Sequence, residues 1–224
     1  MVSGGKALRA LAVAWSCALA VAQAIAAQPP GEPRADFAGV AASADARYTA
    51  RWVVESGDNQ GRPFAIVDKK DATLFVFTPG GRLLGATPAL LGLASGDRSV
   101  PGIGDMEPSQ IAPADRTTPA GRFASEPGRN LSGEDVVWVD YDAGLAIHRL
   151  RPSPAHERRP QRLASDTPDD KRITLGCIVV PVAFYESVVG PVLGAREGVV
   201  YVLPETKPVR AMFGGDVQLG MRKP

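Results

Sequence analysis

Cys177 and His148 are the two residues of this sequence whose types suit covalent catalysis. A cysteine attacks carbonyl groups as its thiolate, and a nearby histidine is the usual base that removes the thiol proton. His148 follows the apolar stretch 145–147, which would fix its position, whereas His156, the other histidine, lies in a polar stretch. His148 is therefore the better candidate for the base. A histidine at a strand end and a cysteine beside glycine are also common as structural residues.

The N-terminal segment has the features of a secretory signal peptide in the usual order. Lys6 and Arg9 precede an apolar run at residues 11–25, and small residues follow. We expect residues 1–26 to be cleaved after Ala26, the protein to reach the periplasm or cell envelope, and no stable membrane anchor to persist. An uncleaved anchor is the weaker alternative, because the run is shorter than the roughly 20 apolar residues that span a bilayer.

Removal of this segment leaves Cys177 as the single cysteine of the mature protein, because Cys17 lies inside the predicted signal peptide. Lipidation at Cys17 is a minor alternative, since bulky Trp15 fits a lipoprotein attachment site poorly. The periplasm and the cell surface favour disulfides, so a lone thiol there is either buried and inert or retained for its reactivity. Composition alone makes these two explanations equal.

The composition argues against nucleic acid and metal ions as partners. The 25 Lys and Arg residues nearly balance the 24 Asp and Glu residues, so no basic surface of the kind that binds nucleic acid is indicated. One mature cysteine and two histidines in this arrangement do not supply the ligand count of a zinc site. We therefore expect neither a metal nor an organic cofactor.

Short β-prone runs separated by turns predict a mainly β domain. The runs lie at residues 64–67, 73–77, 82–84, 136–141, 145–148, 178–180 and 199–203. One helix is expected from Pro181 through Val192. We place a flexible linker at residues 27–50, the domain at residues 51–204 and a C-terminal tail at residues 205–224.

The motifs around the two candidate residues resemble those of the L,D-transpeptidase (YkuD) family. Residues 146–148 (Ala-Ile-His) and 174–178 (Thr-Leu-Gly-Cys-Ile) are similar to the family's histidine and its downstream Ser/Thr-His-Gly-Cys motif. Residues 118–123 (Thr-Pro-Ala-Gly-Arg-Phe) resemble its Thr-Pro-x-Gly-x-Phe turn. The resemblance covers residues 63–203 and implies a β-sandwich or barrel with one helix after the catalytic cysteine.

The resemblance also implies acyl transfer on peptidoglycan stem peptides. Cys177 would attack the carbonyl of the third residue of a tetrapeptide stem, expel the terminal D-alanine and form a thioester, with His148 as the base. The backbone N–H groups of Gly176 and Cys177 would stabilise the oxyanion, and Thr174 occupies the Ser/Thr position of the motif. Stem peptides are thus the expected partner, and no cofactor is implied.

Three positions depart from the family pattern. Arg149 stands where a glycine usually follows the histidine, Leu175 replaces the histidine before Gly-Cys, and Val179 replaces the Arg or Asn after it. These departures support an alternative in which the protein keeps the fold and binds peptidoglycan without catalysis. A thiol redox role is disfavoured, because the mature chain has no resolving cysteine.

The stretch between the two candidate residues is long and basic. His148 and Cys177 are 29 positions apart, and residues 149–173 contain seven basic and four acidic side chains, a net charge of +3. We expect this segment to form a lid over the cleft and to hold substrate carboxylates with basic residues, among them Arg149, Arg158 and Arg159. A solvated surface loop would have the same composition.

Overall fold

A computed structural model describes Met1 and residues 34–214 of the protein. Apart from Met1, the predicted signal peptide at residues 1–26 lies outside the described residues, as do residues 27–33 and 215–224. The strands of the described part are β1 (Phe64–Asp68), β2 (Thr73–Phe77), β3 (Leu83–Pro88), β4 (Leu91–Gly92), β5 (Gly121–Arg129), β6 (Asp135–Asp140), β7 (Leu145–Arg149), β8 (Arg172–Thr174), β9 (Ile178–Val180) and β10 (Gly198–Val202).

The helices of the described part are α1 (Ala44–Ser56), α2 (Arg159–Ala164), α3 (Val182–Phe184) and α4 (Gly190–Val192). A π-helical turn, Tyr185–Val189, joins α3 to α4, and several short 3-10 helices lie in the loops. Between residues 34 and 214, none of the helices has the length and apolar character needed to cross a bilayer.

Eight strands form one sheet in the order β3-β2-β1-β10-β5-β6-β7-β9. Neighbouring strands are antiparallel, except for the parallel pairs β1 with β10 and β7 with β9. Leu90, just beyond β3, pairs with Val179 in β9, and each donates its N–H to the carbonyl of the other, at 2.8 and 2.9 Å. The two edges of the sheet therefore nearly meet. The predicted mainly β, barrel-like architecture is confirmed.

Apolar side chains fill the inside of this sheet. They alternate along each strand, as Val67 in β1, Ile147 in β7 and Val200 in β10 illustrate, and all three are fully buried. The helical segment after Cys177 packs against the same cluster through Tyr185 and Val189. Burial of each large apolar side chain contributes roughly 1.5–3 kcal/mol, so β7 and β9 rest on a rigid support.

Helix α1 covers the opposite face of β1, β2 and β10. The side chain of Ser43 accepts a 3.0 Å hydrogen bond from the Ala46 N–H and so caps the first turn. Gly57 ends the helix in the left-handed conformation, at φ 68°. Ala46, Ala50 and Val53 recur at helical spacing and are fully buried. Their small size lets the helix lie close to the sheet.

The structure differs from the predicted domain boundaries at both ends. The predicted linker reaches residue 50, yet α1 begins at Ala44, and Phe37 lies 5.5 Å from Phe75 between ring centroids. The predicted tail begins at residue 205, yet Phe213 is 2% exposed and its ring lies 5.7 Å from that of Tyr201. Both segments lack a sustained apolar period, but single aromatic anchors bury enough surface to hold them on the domain.

The helix predicted after the cysteine is present and contains one wider turn. The Gly190 N–H donates to the Tyr185 carbonyl, five residues earlier, which defines the π-helical turn. Pro191 has no N–H, and its ring would clash with the carbonyl four residues before it in a regular α-helix. We attribute the wider turn to this proline.

Candidate active site

Cys177 lies in a tight turn between β8 and β9. The Thr174 hydroxyl accepts a 3.2 Å hydrogen bond from the Gly176 N–H and donates one of 2.7 Å to the Cys177 carbonyl. Gly176 has φ +147°, a conformation that side chains other than glycine rarely adopt. A Cβ atom added there would lie 2.9 Å from the Thr117 carbonyl oxygen. The predicted motif residues Thr174 and Gly176 therefore shape the turn that presents the thiol.

Thr118 is hydrogen-bonded to this turn. It is fully buried, and its Oγ1 donates a 2.7 Å hydrogen bond to the Gly176 carbonyl while accepting one of 2.9 Å from the Gly92 N–H. Its own carbonyl accepts a 3.0 Å hydrogen bond from Lys69 Nζ. The sequence singled out residues 118–123 by their family resemblance alone. The structure adds their role, which is direct contact with the nucleophile turn.

A buried ion cluster supports Thr118. The side chain of Lys69 is fully buried, and its Nζ lies 3.0 Å from Asp97 and 3.4 Å from Glu205, which also pairs with Arg172. Lysine is rarely buried unless it is paired, and here two cations face two carboxylates. Burial acts to raise the pKa of Asp97, but hydrogen bonds from Thr206, the Glu205 N–H and Lys69 hold it well below its usual range. Sequence analysis missed this cluster, because its members lie far apart along the chain.

His148 lies in β7, beside the strand that follows the cysteine. The parallel register pairs His148 with Val179, two residues beyond Cys177. The His148 Nδ1 lies 2.9 Å from the Arg149 carbonyl oxygen. A carbonyl can only accept a hydrogen bond, so Nδ1 carries the proton and Nε2 keeps its lone pair. This tautomer is the one that a general base acting through Nε2 requires.

Burial disfavours the charged forms of both candidate residues. The pKa of His148 is lowered to about 4, mainly by burial. The guanidinium groups of Arg151 and Arg159 contribute to this lowering, whereas the hydrogen bond to Arg149 opposes it. Burial also raises the pKa of the Cys177 thiol, although a backbone N–H and the same two guanidinium groups act in the opposite direction. At neutral pH the site therefore holds a thiol and a neutral imidazole.

The Cys177 thiol is directed towards the β6–β7 hairpin. Its Sγ donates a 3.4 Å hydrogen bond to the Gly144 carbonyl. Within residues 34–214, no hydrogen bond joins Sγ to His148. The structure nevertheless brings Cys177 and His148 to the wall of one cavity.

Two cavities open onto Cys177. One, of about 180 Å³, is mainly apolar and lies under the loop of residues 99–119, which contributes Ile103 and Met106. The other, of about 300 Å³, lies under the 149–173 segment and contains His148. Leu175, at the position of the family histidine, lines both cavities and is 38% exposed. It offers both cavities an apolar surface and no hydrogen bond.

The 149–173 segment is an ordered cover over β9. Leu163 of α2 is buried against Leu90 and Val179, so the segment has its own small apolar core. The buried Lys171 donates a hydrogen bond from Nζ to the carbonyl of Ser165, which stabilises the C-terminal end of the cover. These contacts favour the predicted lid and argue against the alternative of a freely solvated loop.

The structure divides the basic residues of this cover among different surfaces. Arg151 and Arg159 line the cavity that contains Cys177 and His148. Arg149, predicted to bind substrate, lies with Tyr185 in a separate groove of about 500 Å³, because consecutive strand residues point to opposite faces. Arg158 is exposed and does not line the cavity of Cys177 and His148, although it lines a neighbouring one together with Arg151 and Arg159.

Solved structures similar to this chain include L,D-transpeptidases. The L,D-transpeptidase from Mycobacterium smegmatis is 20% identical, with a TM-score of 0.35 over 63% of this chain and 58% of its own. The catalytic domain of the E. faecium L,D-transpeptidase is 18% identical, with a TM-score of 0.34 over 64% of this chain and 98% of its own. The helical cell shape determining protein Pgp2 from Campylobacter jejuni is 18% identical, with a TM-score of 0.42 over 70% of this chain and 55% of its own.

This chain spans about half the length of the first solved chains that it matches, 49% and 55%. No family model and no curated protein matches the sequence. Among residues 34–214 no group of three or more His, Cys, Asp or Glu side chains is arranged to hold a metal ion.

Proposed function

We propose that this protein is a cysteine acyltransferase of the L,D-transpeptidase type, with Cys177 as the nucleophile and His148 as its base. One observation carries the proposal: a single cavity contains the Cys177 thiol and a His148 ring whose Nδ1 is held by a carbonyl, which frees Nε2. The lowered pKa of His148 keeps the ring unprotonated at neutral pH, as a base that accepts the thiol proton must be.

The reaction begins when the thiol turns from the Gly144 carbonyl to His148 Nε2. Sγ then attacks the carbonyl carbon of the third residue of a tetrapeptide stem, and its proton passes to His148. The C–N bond to the terminal D-alanine breaks, and His148 delivers the proton to the departing amine. An acceptor amine or water attacks the resulting thioester, gives up a proton to His148, and releases Cys177 once that proton returns to Sγ.

The Cys177 N–H is the oxyanion donor in this proposal. The Gly176 N–H already donates to the Thr174 hydroxyl. Thr174 and Gly176 therefore act by shaping the turn, and Gly176 keeps the space beside it free of a side chain. No metal or organic cofactor takes part in any step.

Peptidoglycan stem peptides are the proposed substrates, and the cell envelope is the proposed location. The residues that support this choice are the motifs at 118–123 and 174–178, which resemble those of L,D-transpeptidases. The predicted signal peptide at residues 1–26 would deliver the protein to the compartment that contains these peptides.

Three observations favour a second candidate function, peptidoglycan binding without catalysis. In the free protein Sγ is hydrogen-bonded to Gly144, and the apolar Leu175 stands where the family has a histidine. Burial also raises the pKa of the Cys177 thiol, which lowers its thiolate content. A protein of this kind would hold stem peptides in the same cavities and leave them unchanged.

Intact-protein mass spectrometry after incubation with a tetrapeptide stem separates the two functions. We expect a tripeptidyl adduct on the wild-type protein, none on Cys177→Ala, and acylation slowed about a hundredfold or more in His148→Ala. His156→Ala is the matched control, because His156 is exposed outside the site, and it should acylate like the wild type. Bound peptide without any adduct on the wild type would favour the second function.

A further inference from the structure

Arg151 and Arg159 are the two cationic side chains of the cavity that contains Cys177 and His148. They approach from the cover, Arg151 just after β7 and Arg159 at the start of α2. Both are partly shielded from solvent, with side-chain exposures of 32% and 21%. Each is close enough to influence the charge state of both reacting groups. A ligand at the reacting atoms therefore also lies beside two guanidinium groups and beside Glu157, the carboxylate that pairs with Arg159.

Each guanidinium has a carboxylate beside its Nε edge, as a hydrogen-bonded pair in Arg159 and as an ion pair without a well-aligned hydrogen bond in Arg151. Arg151 Nε lies 2.6 Å from Glu134, and Arg159 Nε lies 2.6 Å from Glu157. Within residues 34–214 neither side chain has a hydrogen bond from its terminal Nη atoms. A planar guanidinium oriented through Nε keeps its two terminal nitrogens available as a fork that matches a carboxylate.

Leu175 and Val179, on either side of Cys177 in the motif, cannot recognise a carboxylate. Val179, where the family has Arg or Asn, is fully buried in the small core beneath the cover. Leu175 provides an apolar surface between the two cavities. The polar recognition that these two motif positions lack is available from the two arginines of the cover.

We infer that Arg151 and Arg159 form a subsite for the terminal carboxylate of the substrate peptide, one residue beyond the scissile carbonyl. The inference rests on the proposed function and adds the chemical class that the site selects, which is a short peptide with a free C-terminus. The cover thereby discriminates against longer or amidated peptides. Arg149 and Arg158 are not part of the proposed subsite, because neither lines the cavity that contains Cys177 and His148.

Peptide binding to the Cys177→Ala protein tests the subsite without chemistry. The probes are a tetrapeptide stem and the same peptide with its C-terminal carboxylate converted to an amide, compared by titration calorimetry. We expect the acid to bind about tenfold to a hundredfold more tightly, the range for charge-assisted hydrogen bonds. In this background, Arg151→Gln and Arg159→Gln should each reduce the preference, and Arg158→Gln should preserve it.

Loss of one arginine leaves its carboxylate partner unpaired and lowers the stability of the protein. Double variants that also neutralise the carboxylate control for this effect: Arg151→Gln/Glu134→Gln and Arg159→Gln/Glu157→Gln. The subsite would be overturned if the acid and amide peptides bind equally or if neither binds. It would also be overturned if Arg158→Gln reduces the preference for the acid as much as Arg151→Gln and Arg159→Gln do. Acylation of the wild-type protein reports separately on the proposed function. If the protein prefers the acid peptide but forms no thioester, the proposed acyl transfer is wrong and the subsite stands. If the wild-type protein forms thioester equally from the acid and the amide peptide, the subsite is wrong and acyl transfer stands.

Discussion

The Thr118 hydroxyl donates a 2.7 Å hydrogen bond to the carbonyl of Gly176, 58 residues further along the chain. This bond connects the two motifs that the sequence singled out independently. Thr118 also accepts from the Gly92 N–H, so one buried hydroxyl satisfies two backbone groups. The orientation of the Cys177 backbone depends on this contact, because Gly176 immediately precedes the nucleophile.

Thr118→Val should impair the site without changing side-chain size. It leaves the Gly176 carbonyl and the Gly92 N–H without their partner, which typically costs about 1–3 kcal/mol for each buried group. We expect a lower free energy of unfolding and at least a tenfold slower acylation of Cys177, measured by denaturant titration and mass spectrometry. Thr118→Ser keeps the hydroxyl and should recover the acylation rate. Wild-type acylation by Thr118→Val would contradict this positioning role.

His148 should make the stability of the protein depend on pH. Its folded-state pKa of about 4 lies below the unfolded value of 6.5, so the unfolded state binds more protons between these values. The free energy of unfolding should therefore fall as the pH decreases from 6.5 to 4, by up to about 1.4 kcal/mol for each pH unit. Urea titrations at several pH values measure this slope. His148→Gln should flatten it and the exposed His156→Gln should not; equal slopes in all three proteins would refute the assignment.

Cys177 should react as a thiol with a raised pKa. Burial outweighs the two nearby guanidinium groups, so little thiolate is present at neutral pH. In a Cys17→Ala background, we expect iodoacetamide alkylation to be slow at pH 7, to rise about tenfold per pH unit while the pH stays below the thiol pKa, and to be still rising at pH 9. Glutathione is the reference thiol and should level off at lower pH. A plateau below pH 8 would instead indicate a preformed thiolate, and the proposed neutral pair would be wrong.

Phe213→Ala should destabilise the domain, although this residue lies in the predicted tail. The ring is 2% exposed and packs on Tyr201 and Trp52. Truncation of a buried phenylalanine typically costs about 3–5 kcal/mol. Guanidinium unfolding measures the change, and Met212→Ala, at a partly buried neighbour, should cost less. An unchanged midpoint for Phe213→Ala would place this segment outside the core.

Several elements of the fold follow from local sequence. The run at residues 73–77 was expected as a strand and is β2, Thr73–Phe77, and the run at 178–180 is β9, Ile178–Val180. Both are apolar stretches bounded by turn residues, and such a pattern needs no knowledge of partners. The order of the motifs around His148 and Cys177 was likewise enough to select the two candidate residues.

Strand β5, Gly121–Arg129, had no such local signal. It contains two glycines, a proline and three charged residues, and most of its side chains are at least partly exposed. It is a strand because β10 and β6 pair with its backbone on either side. Helix α1 was missed for a related reason, since its buried residues, Ala46, Thr49, Ala50 and Val53, include only one large apolar side chain and give a weak helical pattern.

The sequence by itself determined which residue types and motifs are available for catalysis, while the tertiary structure decided their environment. Period-two alternation already separates His148 from Arg149, but only the tertiary structure decides which of them lines the cavity of Cys177. The low pKa of the His148 ring likewise depends on burial and on Arg151 and Arg159. These are properties of groups brought together by folding, and the order of residues along a chain does not specify distances between them.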